Sequence, residues 1–166
     1  PHHCDEAFGY LGVPEDLPGN TEGLYGIGNY CNGRDALLGL NQELIDPFIA
    51  GRFAINQDDD EGVVSAAEQA RKACEMVFVA TGIHYINSGL NNLTDDAIRC
   101  HALSEAEAFI WSLKFNSDKT ISDSDWQATL DKLGDNFYTV SQSDLQDARD
   151  ILVTAYGIDS SIATQL

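Results

Sequence analysis

Four histidines are the whole imidazole content of this 166-residue chain, and each stands close to a carboxylate or an amide. His3-Cys4-Asp5-Glu6 reads H-x-x-E, so an imidazole and a carboxylate lie three apart and share one helical face. The reverse spacing, E-x-x-H, presents metal ligands in helical bundles. His2 and Asp5 repeat the relation one residue earlier, about 100° round a helix, so only one of the two pairs can face a given site. His84 and Asn87 repeat it with a neutral amide in place of the acid, and His101 and Glu105 stand four apart. Side chains on facing helices meet across an interaxial distance of about 8 to 10 Å. Carboxylate with imidazole suits iron, zinc or manganese, while the single methionine, Met76, speaks against a methionine-rich copper site. The residues thus point to a metal ion, with iron, zinc and manganese all open, held by His3 and Glu6 with support from His84 and His101. Asn87 and Glu105 would orient the imidazoles or act as auxiliary ligands. The competing reading makes each histidine a structural tie at its own helix end, in a non-catalytic surface or assembly module.

Other chemistries find less support. No G-x-S-x-G elbow occurs, and no Cys and His are paired by spacing, so no catalytic residue is assigned. H-x-x-E lacks the second histidine of H-E-x-x-H, so a metallopeptidase would need a base and further ligands from elsewhere. Gly26-Ile27-Gly28 follows no strand pattern and carries no phosphate-binding lysine. Nine Lys and Arg against 27 Asp and Glu give a net charge of −18, a surface that repels nucleic acid and anionic headgroups; it reads first as a solubility coat for an extracytoplasmic or saline setting and second as an attractor of cations. No stretch approaches the roughly 20 apolar residues of a membrane span. Cys4, Cys31, Cys74 and Cys100 lack zinc-ribbon spacing. The acidic surface favours disulfides in an oxidising compartment over buried thiols, with three pairings open.

The elements that must position these residues are helical throughout. A helical fragment from Asp5 to Leu11 meets Pro14, and Pro14 to Gly33, with two Pro, five Gly and three Asn, reads as a long irregular loop. Arg34 to Asn56 carries Leu37, Leu38, Leu44, Ile45, Phe48, Ile49 and Phe53 at helical spacing, with a kink expected at Pro47. A central helix runs from Gly62 to Gly89, with Val63, Val64, Ala67, Ala70, Cys74, Val77, Phe78 and Ile83 as its apolar positions. Thr94 with Asp95-Asp96 caps a helix to Phe115 with Ile98, Ala102, Ala106, Phe109 and Leu113 inward, and Ser122 and Ser141 open two more, to Leu133 and Tyr156. The expectation is an all-α bundle, one domain over residues 1–158, followed by a mobile tail at 159–166.

Several segments resemble a known family: His2-His3-Cys4-Asp5-Glu6-Ala7-Phe8-Gly9-Tyr10, Asn32-Gly33-Arg34-Asp35-Ala36-Leu37-Leu38-Gly39, Ile83-His84-Tyr85-Ile86-Asn87-Ser88, His101-Ala102-Leu103-Ser104-Glu105-Ala106 and Gly134-Asp135-Asn136-Phe137-Tyr138. In this order they are similar to the bacterial family called domain of unknown function 4856, over His2 to Ile158. That family is in turn similar to imelysin-like proteins, helical periplasmic or surface proteins linked to iron acquisition and marked by G-x-H-x-x-E. His3 and Glu6 match the second part of that motif without its glycine, and Gly82 and His84 match the first part with Asn87 replacing the acid. The resemblance implies an imelysin-like helical bundle that binds a metal ion, iron first and zinc second, in the periplasm or at the cell surface. It also implies the carboxy-terminal half of a longer precursor bearing a secretion or lipoprotein signal. The partner expected for the fragment is the other half of that precursor or a second copy of this chain.

Overall fold

Capping side chains set where the last four helices of the chain begin. The computed structural model describes residues 2–166, and Pro1 lies outside the described residues. The chain is all-α, with no strand among the described residues. In order the helices are α1 (His2–Gly9), α2 (Gly26–Leu38), α3 (Leu40–Asn56), α4 (Asp60–Asn91), α5 (Asp96–Ser112), α6 (Asp123–Leu133), α7 (Gln142–Tyr156) and α8 (Ser160–Ala163), with a 3-10 turn at Leu113–Phe115. The 32 residues of α4 give it a length of about 48 Å. Contacts divide the chain, expected as one domain, into two compact units, one ending at Val77 and the other covering Phe78–Leu166.

In the first unit the helix expected from Arg34 to Asn56 is two helices. The apolar spacing carries across Gly39, but Gly39 adopts φ +69°, a left-handed conformation costly to any residue with a Cβ, and ends α2. Its N–H donates to the Asp35 carbonyl at 2.7 Å, and the Asn41 N–H donates to Asp35 Oδ1 at 2.8 Å. Asn41, 2% exposed, donates through Nδ2 to Asn32 Oδ1 at 2.9 Å. Asn32, Asp35, Gly39 and Asn41 therefore build a polar corner that turns the chain from α2 into α3. Pro47 stays inside α3, which continues to Asn56.

Gly26 to Gly33, expected as loop, is helical. The reason is close packing: the Gly28 N–H donates to the Leu11 carbonyl at 2.6 Å, and a Cβ on Gly28 would lie 2.4 Å from Val13 Cγ1. Leu11, Leu17, Cys31, Leu40, Leu44 and Ile45 form the core of this unit. Phe8 of α1 meets Phe48 of α3 edge-on at 5.8 Å, and Asp5 pairs with Arg52. The eight residues of α1 are too few to cover all 17 of α3, and Ile49 and Phe53, expected inward, are 59% and 66% exposed.

In the second unit Ile83, Ile86, Leu103, Ile110, Leu133, Leu145 and Leu152 are fully buried. Within the Thr94-Asp95-Asp96 cluster Asp95 is the residue that caps α5, by accepting from the Ile98 N–H, while Ser122 and Ser141 cap α6 and α7 as their sequences predict. Ser141 Oγ donates to Asp144 at 2.6 Å and Lys132 Nζ reaches it at 3.1 Å, which together hold the Asp144 carboxyl below the usual range. Residues 159–166, read from sequence as a mobile tail, contain α8, capped by Asp159, and end on Leu166, which is 6% exposed.

Arg99 fixes the turn after α6. Its side chain, 5% exposed, donates to the carbonyls of Leu93, Phe137 (2.8 Å) and Tyr138 (3.2 Å) and pairs with Asp96 at 2.6 Å. The substitution Arg99→Met keeps the length of the apolar stem and removes every donor, so it should cost about 3 kcal/mol. Chemical denaturation of the two proteins checks this; an unchanged midpoint contradicts it.

Candidate functional site

Helix α1 is amphipathic, and its two faces have different tasks. Asp5 and Phe8, three apart, turn to α3 through Arg52 and Phe48. Their commitment leaves His2, His3 and Glu6 on the outward side. His3 Nδ1 stands 3.4 Å from Glu6 Oε2, and His2 Nε2 stands 3.4 Å from Glu6 Oε1, so two imidazoles flank one carboxylate. The imidazole centroids are 5.7 Å apart. The side chains of His2 and His3 are 80% and 96% exposed and that of Glu6 is 52% exposed, which leaves the turn open to solutes. Two donors about 3.4 Å apart form one edge of a tetrahedron with metal–ligand bonds of about 2.1 Å. Among the described residues no group of three or more His, Cys, Asp and Glu side chains could by itself hold a metal ion. The α1 turn accordingly brings one imidazole and one carboxylate to the spacing of two metal ligands, with no third protein ligand beside them among the described residues.

The structure brings His3 and Glu6 together as their spacing predicts. It also corrects the local pairing of His2, whose partner is Glu6 one full turn on; Asp5 is held by Arg52, 47 residues away. The i, i+4 relation of His2 and Glu6 was present in the sequence, whereas the ion pair that removes Asp5 was not.

The residues expected to support the site have other partners. His84 Nδ1 donates to the main-chain oxygen of Leu166 at 2.5 Å, since that oxygen can only accept, and its ring meets Tyr85 edge-on at 5.2 Å. Asn87 is 7% exposed; its Nδ2 donates to the Ala163 carbonyl at 2.8 Å and its Oδ1 accepts from Arg149 at 3.1 Å. His84 and Asn87, three apart on α4, thus act together as the dock for residues 163–166. His101 is exposed on α5, with Glu105 half-buried one turn on and no ion pair between them among the described residues.

All four cysteines are free thiols, so the disulfides favoured by the acidic composition do not form here. Cys31 is fully buried, and burial, reinforced by the negative charges of Asp35 and of neighbouring groups, pushes its thiol up to about 12. Burial likewise pushes the Cys74 thiol up to about 11, so both remain protonated at neutral pH and behave as small apolar side chains.

The family model for a domain of unknown function, DUF4856, matches residues 1–157, and the chain belongs to that family. No curated protein and no solved structure matches it significantly. Two of the segments that carry the likeness now have visible tasks: Asn32–Gly39 builds the α2–α3 corner, and Ile83–Ser88 docks the C-terminal residues. Removing the His84 imidazole by His84→Ala should free residues 159–166. Amide hydrogen exchange across α8 should then rise at least tenfold while α5 and α6 keep their protection; unchanged exchange in α8 contradicts the dock.

Proposed function

We propose that this member of the DUF4856 family is a metal-ion-binding module that captures or presents a transition metal, iron first and zinc second, outside the cytoplasm. The ion takes Glu6 and the flanking imidazole of His3 as its protein ligands. The observation that carries this reading is the placement of two imidazole nitrogens, each 3.4 Å from an oxygen of one exposed carboxylate. Nitrogen with carboxylate oxygen suits ferrous iron and zinc, and the open coordination positions suit an ion that is received and passed on. The charge of −18 raises the local concentration of any cation around the chain. No helix among the described residues is long and apolar enough to cross a membrane. The resemblance to imelysin-like proteins supports iron over zinc and a periplasmic or cell-surface setting.

A second reading applies to the other unit. The hydrogen bonds of His84 and Asn87 to main-chain oxygens of the last residues support a structural role for this pair. Neither reading assigns a catalytic residue.

Calorimetric titration with zinc, and with ferrous iron under anaerobic conditions, tests the proposal. The unaltered chain should take up one ion per molecule. Both Glu6→Gln and His3→Ala should weaken that uptake at least tenfold, with helicity by circular dichroism unchanged. Equal affinity in all three proteins would remove α1 as the site.

A further inference from the structure

The chain has two tryptophans, and both line one cavity of about 360 Å³ in the second unit. Glu107 and Trp111 enter it from α5, one turn apart; Trp126, Leu130 and Asp131 enter it from α6; Asp135 closes it just beyond the end of α6. Trp126 is fixed, because its Nε1–H donates to the Ile110 carbonyl at 2.8 Å. Asp131 is oriented by the amide of Gln127, which donates to Oδ1 at 2.8 Å and leaves Oδ2 for another donor. None of the three carboxylates is paired with Lys or Arg among the described residues, and no Lys or Arg lines the cavity. The nearby ammonium of Lys114 lies over the Trp111 ring, 3.3 Å from its centroid, so one face of this indole already seats a cation.

Indole faces beside uncompensated carboxylates select among ligand classes. A neutral sugar would stack on the indoles and leave three negative charges unanswered. A hard inorganic cation would answer the charge and gain nothing from the indoles. A single quaternary ammonium would neutralise one carboxylate of the three. We propose that this cavity binds an aliphatic polyamine, with its ammonium groups at Glu107, Asp131 and Asp135 and its methylene stems along Trp111, Trp126 and Leu130. The site lies on helices apart from α1 and does not rest on the metal reading.

Titration of the full chain with spermidine, followed by intrinsic tryptophan fluorescence in 0.15 M NaCl, tests this, because both emitters of the chain sit in the cavity. The expected result is a saturable change that sodium and magnesium chloride at matched ionic strength do not produce. The double variant Glu107→Gln/Asp131→Asn keeps both indoles and should bind at least tenfold more weakly, with its thermal midpoint showing that it is folded. Trp111→Ala, with Trp126 as the remaining reporter, should weaken binding as well. Four results would overturn the proposal: no saturable change, an equal change with magnesium, a saturable change with cellotriose in place of spermidine, or unaltered affinity in the charge variant.

Discussion

The constraint from which the rest follows is a shortage of cationic side chains: nine Lys and Arg must serve 27 Asp and Glu. The chain uses its cations at joints. Arg52 ties α1 to α3, Lys132 reaches from α6 to Asp144 and Asp147 of α7, Arg149 holds the amide that docks the last residues, and Arg99 gathers three carbonyls and Asp96 around the turn after α6. Exposed ion pairs contribute roughly 1 kcal/mol or less, so Arg52 and Lys132 matter for where they place helices more than for what they add to stability. Arg99, buried with its carbonyls, is different: those oxygens have lost water and depend on it. With the cations committed in this way, carboxylates at open positions look outward for positive charge. Glu6 lies between two imidazoles, and Glu107, Asp131 and Asp135 stand beside two indoles without a Lys or Arg partner among the described residues.

Helical periodicity converts this surplus into local geometry. Because residues three and four apart lie on one side, the outward face of α1 offers His2, His3 and Glu6 together once Asp5 and Phe8 are turned to α3. The same rule places His84 and Asn87 side by side on α4, where they serve the chain itself by receiving the main-chain oxygens of Leu166 and Ala163. One spacing thus yields an open pair in one unit and a structural tie in the other. Burial explains the difference: His3 is almost wholly exposed, whereas Asn87 is inside and must satisfy both ends of its amide.

Much of the fold is legible in the sequence where the signal is local. Ser122 and Ser141 announce α6 and α7, Gly157 ends α7, and the long apolar rhythm from Val63 onward marks α4. The α2–α3 corner is not legible, because Leu37, Leu38, Leu44 and Ile45 keep helical spacing straight through Gly39 and the break is set by Asp35 and Asn41 bonding across it. The glycines before Arg34 look like loop residues, yet Gly28 is glycine because Leu11 and Val13 crowd it. For the site, the His3–Glu6 pair follows from its spacing, whereas the role of His2 depends on a distant arginine that claims Asp5. Trp111 and Trp126 are brought to one cavity by the packing of α5 on α6, which leaves no mark in the residues between them.

The central claim is that a metal ion seated on α1 is held by imidazole and carboxylate together. X-ray absorption spectroscopy of the zinc-loaded chain reads that shell directly. The account predicts nitrogen and oxygen neighbours at about 2.0 to 2.1 Å, with the outer-shell scattering pattern of at least one imidazole. A shell of oxygen alone, without imidazole scattering, would contradict it.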